Sequence, residues 1–204
     1  IRLEEIKSRR RSGIKAFLIV LPTASGKSRI VEEDIRDFAK DRKTFKALIL
    51  APGIDILLDW KKRIEMELPE LADKIEIRTY AYIARHYTEF PADYYNYLVV
   101  DEAHHAVAPV LKRVIQYFDT EFMIGLTATD QRPDKKKLET VFGTYSTSLS
   151  LTDAMKQGII ATANVYRIET NIDLSQIRFN GKDYVNADLE KRIRVTSRND
   201  LIVN

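Results

Sequence analysis

Residues Ala16 to Ser28 read A-F-L-I-V-L-P-T-A-S-G-K-S. Ala16 to Leu21 is an apolar run of buried-strand length, and Ile30, Val31, Ile35, Phe38 and Ala39 then follow at helical spacing. Strand, small-residue loop and helix N-terminus therefore come in the order that a phosphate cradle requires. Such a cradle needs backbone N–H groups turned inward, hence small residues, and a helix whose positive end faces the anion. Thr23, Ala24, Ser25 and Gly26 supply the loop. Lys27 is placed to reach the outer phosphates of a nucleoside triphosphate, and the Ser28 hydroxyl to ligate magnesium, Mg2+. The full pattern G-x-x-x-x-G-K-[ST] would put glycine at position 21, where this chain has Leu21. Taken alone, Gly-Lys-Ser also occurs on ordinary strand-to-helix turns.

A second motif narrows the reading. Asp101-Glu102-Ala103-His104 follows Tyr97-Leu98-Val99-Val100, another run of buried-strand character. Carboxylates at the C-terminal end of a strand sit where open parallel sheets hold their ligands. Asp101 suits a magnesium ion, through water, and Glu102 suits a water to be oriented or deprotonated. The plainer alternative is an acidic helix start, which the helix dipole favours. Both motifs in order, each behind a strand, favour the nucleotide site.

Between and beyond them, strand and helix alternate. Ala47 to Leu50 reads as a strand broken at Ala51-Pro52-Gly53; Ile54, Leu57, Leu58, Ile64 and Leu68 form a helical stripe; Lys74 to Arg78 alternates as a strand; and Tyr80 to His86 reads as a short helix. A helix is expected from Pro109 to Phe118 and a strand from Phe122 to Leu126. This alternation predicts an α/β fold with a mostly parallel sheet and helices on both faces. Further on, Ser146 to Leu151 reads as extended, with Thr152 capping a short helix that ends at Gly158. Ala163 to Ile168 alternates again, Asn180-Gly181 signals a turn, and the last stretch reads as an arm leaving the domain. The expected division is a domain over 1–168 and a connecting arm over 169–204.

Hydrophobic content of 45% and charged content of 31% fit a globular chain with a substantial core. No apolar stretch approaches the ~20 residues of a membrane span, and no signal-peptide pattern opens the chain, so no membrane partner and a cytoplasmic location are expected. Cysteine is absent, which excludes a disulfide framework. The net charge of +3 is modest. Basic clusters at Lys7, Arg9, Arg10, Arg11 and Lys15, and at Arg132, Lys135, Lys136 and Lys137, are either contacts for nucleic-acid phosphates or solvated surface. Trp60 reads as helix packing against the sheet. His104-His105 does not read as a metal site, because adjacent side chains point apart.

Five segments in order resemble the motifs of superfamily two helicases: Leu21 to Ser28, Ala51-Pro52, Thr79-Tyr80, Asp101 to His105, and Gly125-Leu126-Thr127-Ala128-Thr129. The group they resemble is that of the restriction-enzyme-like DEAH helicases, related to the motor subunits of type I and type III restriction enzymes. Arg132 and Asp134, the Ile172 to Leu174 stretch and the Asp188 to Glu190 stretch extend the likeness. The resemblance implies a RecA-like P-loop NTPase domain, the first of the two that such a motor uses. It implies ATP and Mg2+ as cofactors. His104 would link the nucleotide site to Thr127 and Thr129, which would couple hydrolysis to domain movement. Pro52, Gly53, Thr79 and Tyr80 would lie against a nucleic-acid backbone, DNA or RNA. Read as plain residues, Thr127 and Thr129 are also ordinary strand-end hydroxyls, and Tyr80 is also a packing residue.

Ala24 stands where the family pattern has glycine, and Asp130 where it has proline. No glutamine precedes the first strand to read adenine; its expected place lies just ahead of Ile1. No second phosphate-facing domain follows, so the chain is expected to be one domain of a longer motor and to hydrolyse ATP slowly or not at all by itself. The expected function is the N-terminal motor domain of an ATP-dependent DNA helicase or translocase. The alternatives are the motor of a type I or type III restriction enzyme and a binding module without hydrolysis.

Overall fold

The computed structural model describes residues 2–40, 42–128, 138–143 and 146–162. The expectations for Thr129, Asp130, the basic cluster from Arg132 to Lys137, the strand at 163–168, the turn at 180–181 and the arm over 169–204 lie outside these residues. The chain divides into two compact units, Ile1–Thr162 and Ala163–Asn204, and all the described residues belong to the first.

Among the described residues, six strands carry the fold: β1 (Ala16–Val20), β2 (Ala47–Ala51), β3 (Ile75–Thr79), β4 (Tyr97–Val100), β5 (Phe122–Thr127) and β6 (Ser146–Ser148). Their order across the sheet is β3-β2-β4-β5-β1-β6, and every pair is parallel. The helices are α1 (Arg2–Arg11), α2 (Lys27–Ala39), α3 (Ile54–Glu67), α4 (Tyr80–His86), α5 (Pro109–Tyr117), α6 (Glu139–Phe142) and α7 (Leu151–Lys156). Parallel strands buried on both faces need apolar residues at nearly every position, and β2 is buried at all of its residues.

The period-2 alternation of the strands divides the core. Phe17, Ile19, Ile49, Val99 and Ile124 face one way, and Val31, Ile35 and Phe38 of α2 with Trp60 and Ile64 of α3 cover them. Leu18, Val20, Leu48, Leu50, Leu98 and Val100 face the other way, under Ile83 of α4 and Leu111, Val114 and Ile115 of α5. Each large apolar side chain so buried contributes about 1.5–3 kcal/mol. Gly125 of β5 is a close-packed point: a Cβ there would lie 2.7 Å from the ring of Phe142 on α6 and 3.0 Å from Leu18.

Helix α1 has no apolar stripe and is held mainly by charge. Ile6 is its buried apolar anchor. Arg10 donates to Asp34 at 2.6 Å and to Asp37 at 2.8 Å, and the Tyr97 hydroxyl donates to the same Asp34 carboxylate at 2.6 Å. The α2–α3 seam is also polar. Arg63 donates to the fully buried Glu32 at 2.8 Å, and Arg36 donates to the Glu67 carbonyl at 2.6 Å.

One local expectation is corrected. Ser150, not Thr152, caps α7: its hydroxyl accepts the Asp153 N–H at 3.0 Å, and Thr152 lies inside the helix. Both residue types cap well, and the helix begins one residue before Thr152. No helix among the described residues is long and apolar enough to cross a membrane.

Candidate active site

The C-terminal ends of β1, β5 and β4 lie side by side, because β5 pairs with both of the others. At ~4.8 Å per strand, the ends of β1 and β4 are about 10 Å apart. Both motifs leave the sheet at this edge. Thr127, at the end of β5, pairs with Val20 and so stands between them.

The loop after β1 closes on itself. The Leu21 N–H donates to the Thr127 carbonyl at 3.0 Å, tying the loop to β5. The Leu21 side chain is buried in the core beside Ile19, which accounts for an apolar residue where the phosphate-loop pattern has glycine. Ala24 takes the left-handed conformation at φ +62°, and Gly26 does so at φ +85° as it opens α2. Glycine suits that geometry, while alanine is strained in it. No side chain caps α2, so its first-turn N–H groups point into the loop without intrahelical partners. The Lys27 ammonium folds back and donates to the carbonyls of Leu21 at 2.9 Å and Pro22 at 3.0 Å. Ser25 also donates to the Pro22 carbonyl, at 2.6 Å. Ser28, next to Lys27 in the first turn of α2, is half-buried.

Lys27 lies within the fields of both acids. Half-burial lowers the pKa of its ammonium, and the charges of Glu102 and then Asp101 pull it back up. A half-buried ammonium that, among the described residues, donates only to two loop carbonyls is suited to an incoming polyanion, which can take over from those carbonyls.

Asp101 is gripped from several sides. Its N–H donates to the Leu50 carbonyl at 2.9 Å. Oδ1 accepts the Glu102 N–H at 2.9 Å, Oδ2 accepts the indole N–H of Trp60 at 2.8 Å, and its backbone carbonyl accepts the Tyr80 hydroxyl. Burial, with the charges of Asp101 and Glu102, raises the Tyr80 phenol well above its usual range, so it stays a donor. Glu102 is the other non-glycine residue with positive φ among the described residues, at +48°. Its strained turn carries the chain into a 3-10 turn over Ala103–His105. His104 Nδ1 lies 3.3 Å from Glu102 Oε2 and 3.2 Å from Thr127 Oγ1, so one imidazole bridges the acidic turn and β5.

The remaining sequence candidates gather at the ends of β2 and β3. Pro52 and Gly53 link β2 to α3. The Thr79 hydroxyl caps α4 by accepting the Tyr82 N–H at 3.2 Å. Pro52 and Tyr80 share an open groove of about 410 Å³ with Ala81, Ala84, His105 and Leu111. Tyr80 therefore has its hydroxyl under the Asp101 turn and part of its ring on the groove. Trp60 is the residue that sequence reasoning missed. It does pack in the core, as expected of a helix residue against the sheet, but its N–H reaches the candidate site. No local pattern signals that contact across 41 residues of chain.

A parallel sheet with a Gly-Lys-Ser loop after one strand and an acid pair after the strand two places away defines a phosphate-loop nucleotide-binding domain. The chain belongs to the family described as type III restriction enzyme, res subunit, which it matches over residues 2–82 and 72–132. It is 23% identical to the putative ATP-dependent helicase IRC3 of Saccharomyces cerevisiae, over 95% of this chain and 32% of that protein. It is 29% identical to the DNA 3'-5' translocase XPB2 of Sulfurisphaera tokodaii, over 65% of this chain and 32% of that protein. The chain thus spans about a third of the length of these relatives. The fold is that of a RecA-like helicase domain: the Pyrococcus furiosus Hef helicase domain superposes with a TM-score of 0.61 at 21% identity, covering 76% of this chain and 40% of that one.

Proposed function

We propose that the chain is the first motor domain of an ATP-dependent DNA helicase or translocase. What supports this reading is that the Gly-Lys-Ser loop after β1 and the Asp101-Glu102 turn after β4 leave the same end of the sheet on strands flanking β5. Thr23 to Ser28 would cradle the triphosphate, with Lys27 exchanging the carbonyls of Leu21 and Pro22 for phosphate oxygens. The donor set fits magnesium: Ser28 offers a hydroxyl and Asp101 a carboxylate, both hard oxygen ligands. When bound, the ion would neutralise phosphate charge. Glu102 would hold the attacking water and accept its proton. His104 would pass the state of Glu102 to Thr127 and, beyond it, Thr129.

Pro52, Gly53, Thr79 and Tyr80 form the face proposed to meet the nucleic acid, through backbone contacts that carry no sequence information. DNA is the favoured strand because a translocase relative is named for it. Turnover would require a second RecA-like domain of the same protein, since an arginine from the facing domain contributes roughly 10³–10⁵ in rate in comparable phosphoryl transfers. The family description favours one further reading, a motor that drives DNA past a restriction nuclease.

The test is DNA-stimulated ATP hydrolysis by the whole protein. Lys27→Ala and Glu102→Gln should each reduce it at least a hundredfold. Turnover within twofold of wild type in either variant overturns the site assignment.

A further inference from the structure

Trp60 is buried at 1% exposure, yet its one polar atom is not spent on a backbone carbonyl nearby. It donates instead to Asp101 Oδ2 at 2.8 Å, while the Glu102 N–H holds Oδ1 at 2.9 Å. A carboxylate held by a different donor on each oxygen cannot rotate about its Cβ–Cγ bond without losing both. Its remaining lone pairs are fixed in direction. Helix α3, which carries Trp60, is in turn clamped to α2 by Arg63 on the buried Glu32 and by Arg36 on the Glu67 carbonyl. Helix α2 begins at Lys27, so the orientation of Asp101 is referred to the phosphate loop itself.

We infer that Trp60 is a positioning residue that aims the Asp101 carboxylate at the metal of the bound nucleotide. This rests on the proposed nucleotide site. The indole touches neither nucleotide nor metal; it acts through Asp101. Partners that orient metal-ligating carboxylates typically govern 10–100-fold in metal affinity. A phenylalanine keeps the aromatic packing and removes only the donor.

Two measurements on this chain test the inference. In the first, Mn2+ binding to the ATP-loaded chain is followed by electron paramagnetic resonance for wild type, Trp60→Phe and Asp101→Asn. Trp60→Phe should weaken Mn2+ at least fivefold and leave metal-free ATP binding unchanged. An affinity within twofold of wild type overturns the role of Trp60. If Asp101→Asn also binds Mn2+ as wild type does, the nucleotide-site reading itself fails, which separates the two. The second measurement needs no variant. The sequence has one tryptophan, so its indole N–H gives a single resonance of known origin. That resonance should shift when Mg2+ is added to the ATP-loaded chain. A resonance that stays put overturns the inference even if Trp60→Phe fails to fold.

Discussion

Ala24 and Glu102 occupy left-handed backbone at φ +62° and +48°, each within a turn that shapes the candidate site. For an L-residue with a Cβ that conformation costs about 1–2 kcal/mol. The Ala24 side chain is exposed, so glycine there would remove strain without removing contacts. Ala24→Gly should raise the unfolding free energy by about 1 kcal/mol in urea titration and retain ATP binding; a loss of stability would mean the loop holds alanine for another reason. Lys27 gives a pH signature. Its pKa is lowered in the folded chain by half-burial, so the folded state binds its proton less readily than the unfolded state does. Folding stability linked to this group therefore rises as pH climbs from the lowered value towards the ordinary 10.5. Wild type should gain on Lys27→Met across that window in thermal melts, and a difference that is flat with pH would contradict the burial of the ammonium. At this scale Lys27, Asp101 and Glu102 were legible as motif letters. Trp60 was not, because its role depends on a contact between α3 and the end of β4 that only folding creates.

The elements were legible wherever apolar periodicity sets them. Helices α2, α3 and α5 and strands β1 to β5 lie within a residue or two of their expected limits, but on α3 the buried face is carried by Trp60 and Ile64, while Ile54 and Leu58 of the expected stripe are exposed. Helix α1 was not foreseen. Its sequence is a run of charges with Ile6 as the buried apolar residue, and its hold on the domain comes through Arg10 reaching Asp34 and Asp37. Ion-pair docking has no periodic signature. The Gly125 position in β5 shows a second limit: a glycine in the middle of a strand looks weak in sequence, but here it admits the Phe142 ring of α6. Gly125→Ala forces a Cβ to 2.7 Å from that ring and to 3.0 Å from Leu18. It should cost about 1–3 kcal/mol by denaturant unfolding. Because Thr127 follows in the same strand, ATP affinity should fall along with stability. Unchanged stability would mean that α6 moves aside freely.

At the scale of the whole molecule, the domain would, in the proposed reading, offer half of what a motor needs: a nucleotide cradle, an acid pair and a face at the ends of β2 and β3. The other half, an arginine approaching from a second domain, belongs to the proposal. Everything turns on the claim that Lys27, Ser28, Asp101 and Glu102 surround one triphosphate. A crystal structure of the chain with Mn2+ and a non-hydrolysable ATP analogue tests this most directly. Lys27 should leave the Leu21 and Pro22 carbonyls for the outer phosphates, and the anomalous peak of the metal should lie between Ser28 and the Asp101 carboxylate. A nucleotide bound elsewhere, with Lys27 still on its own loop, would contradict that claim.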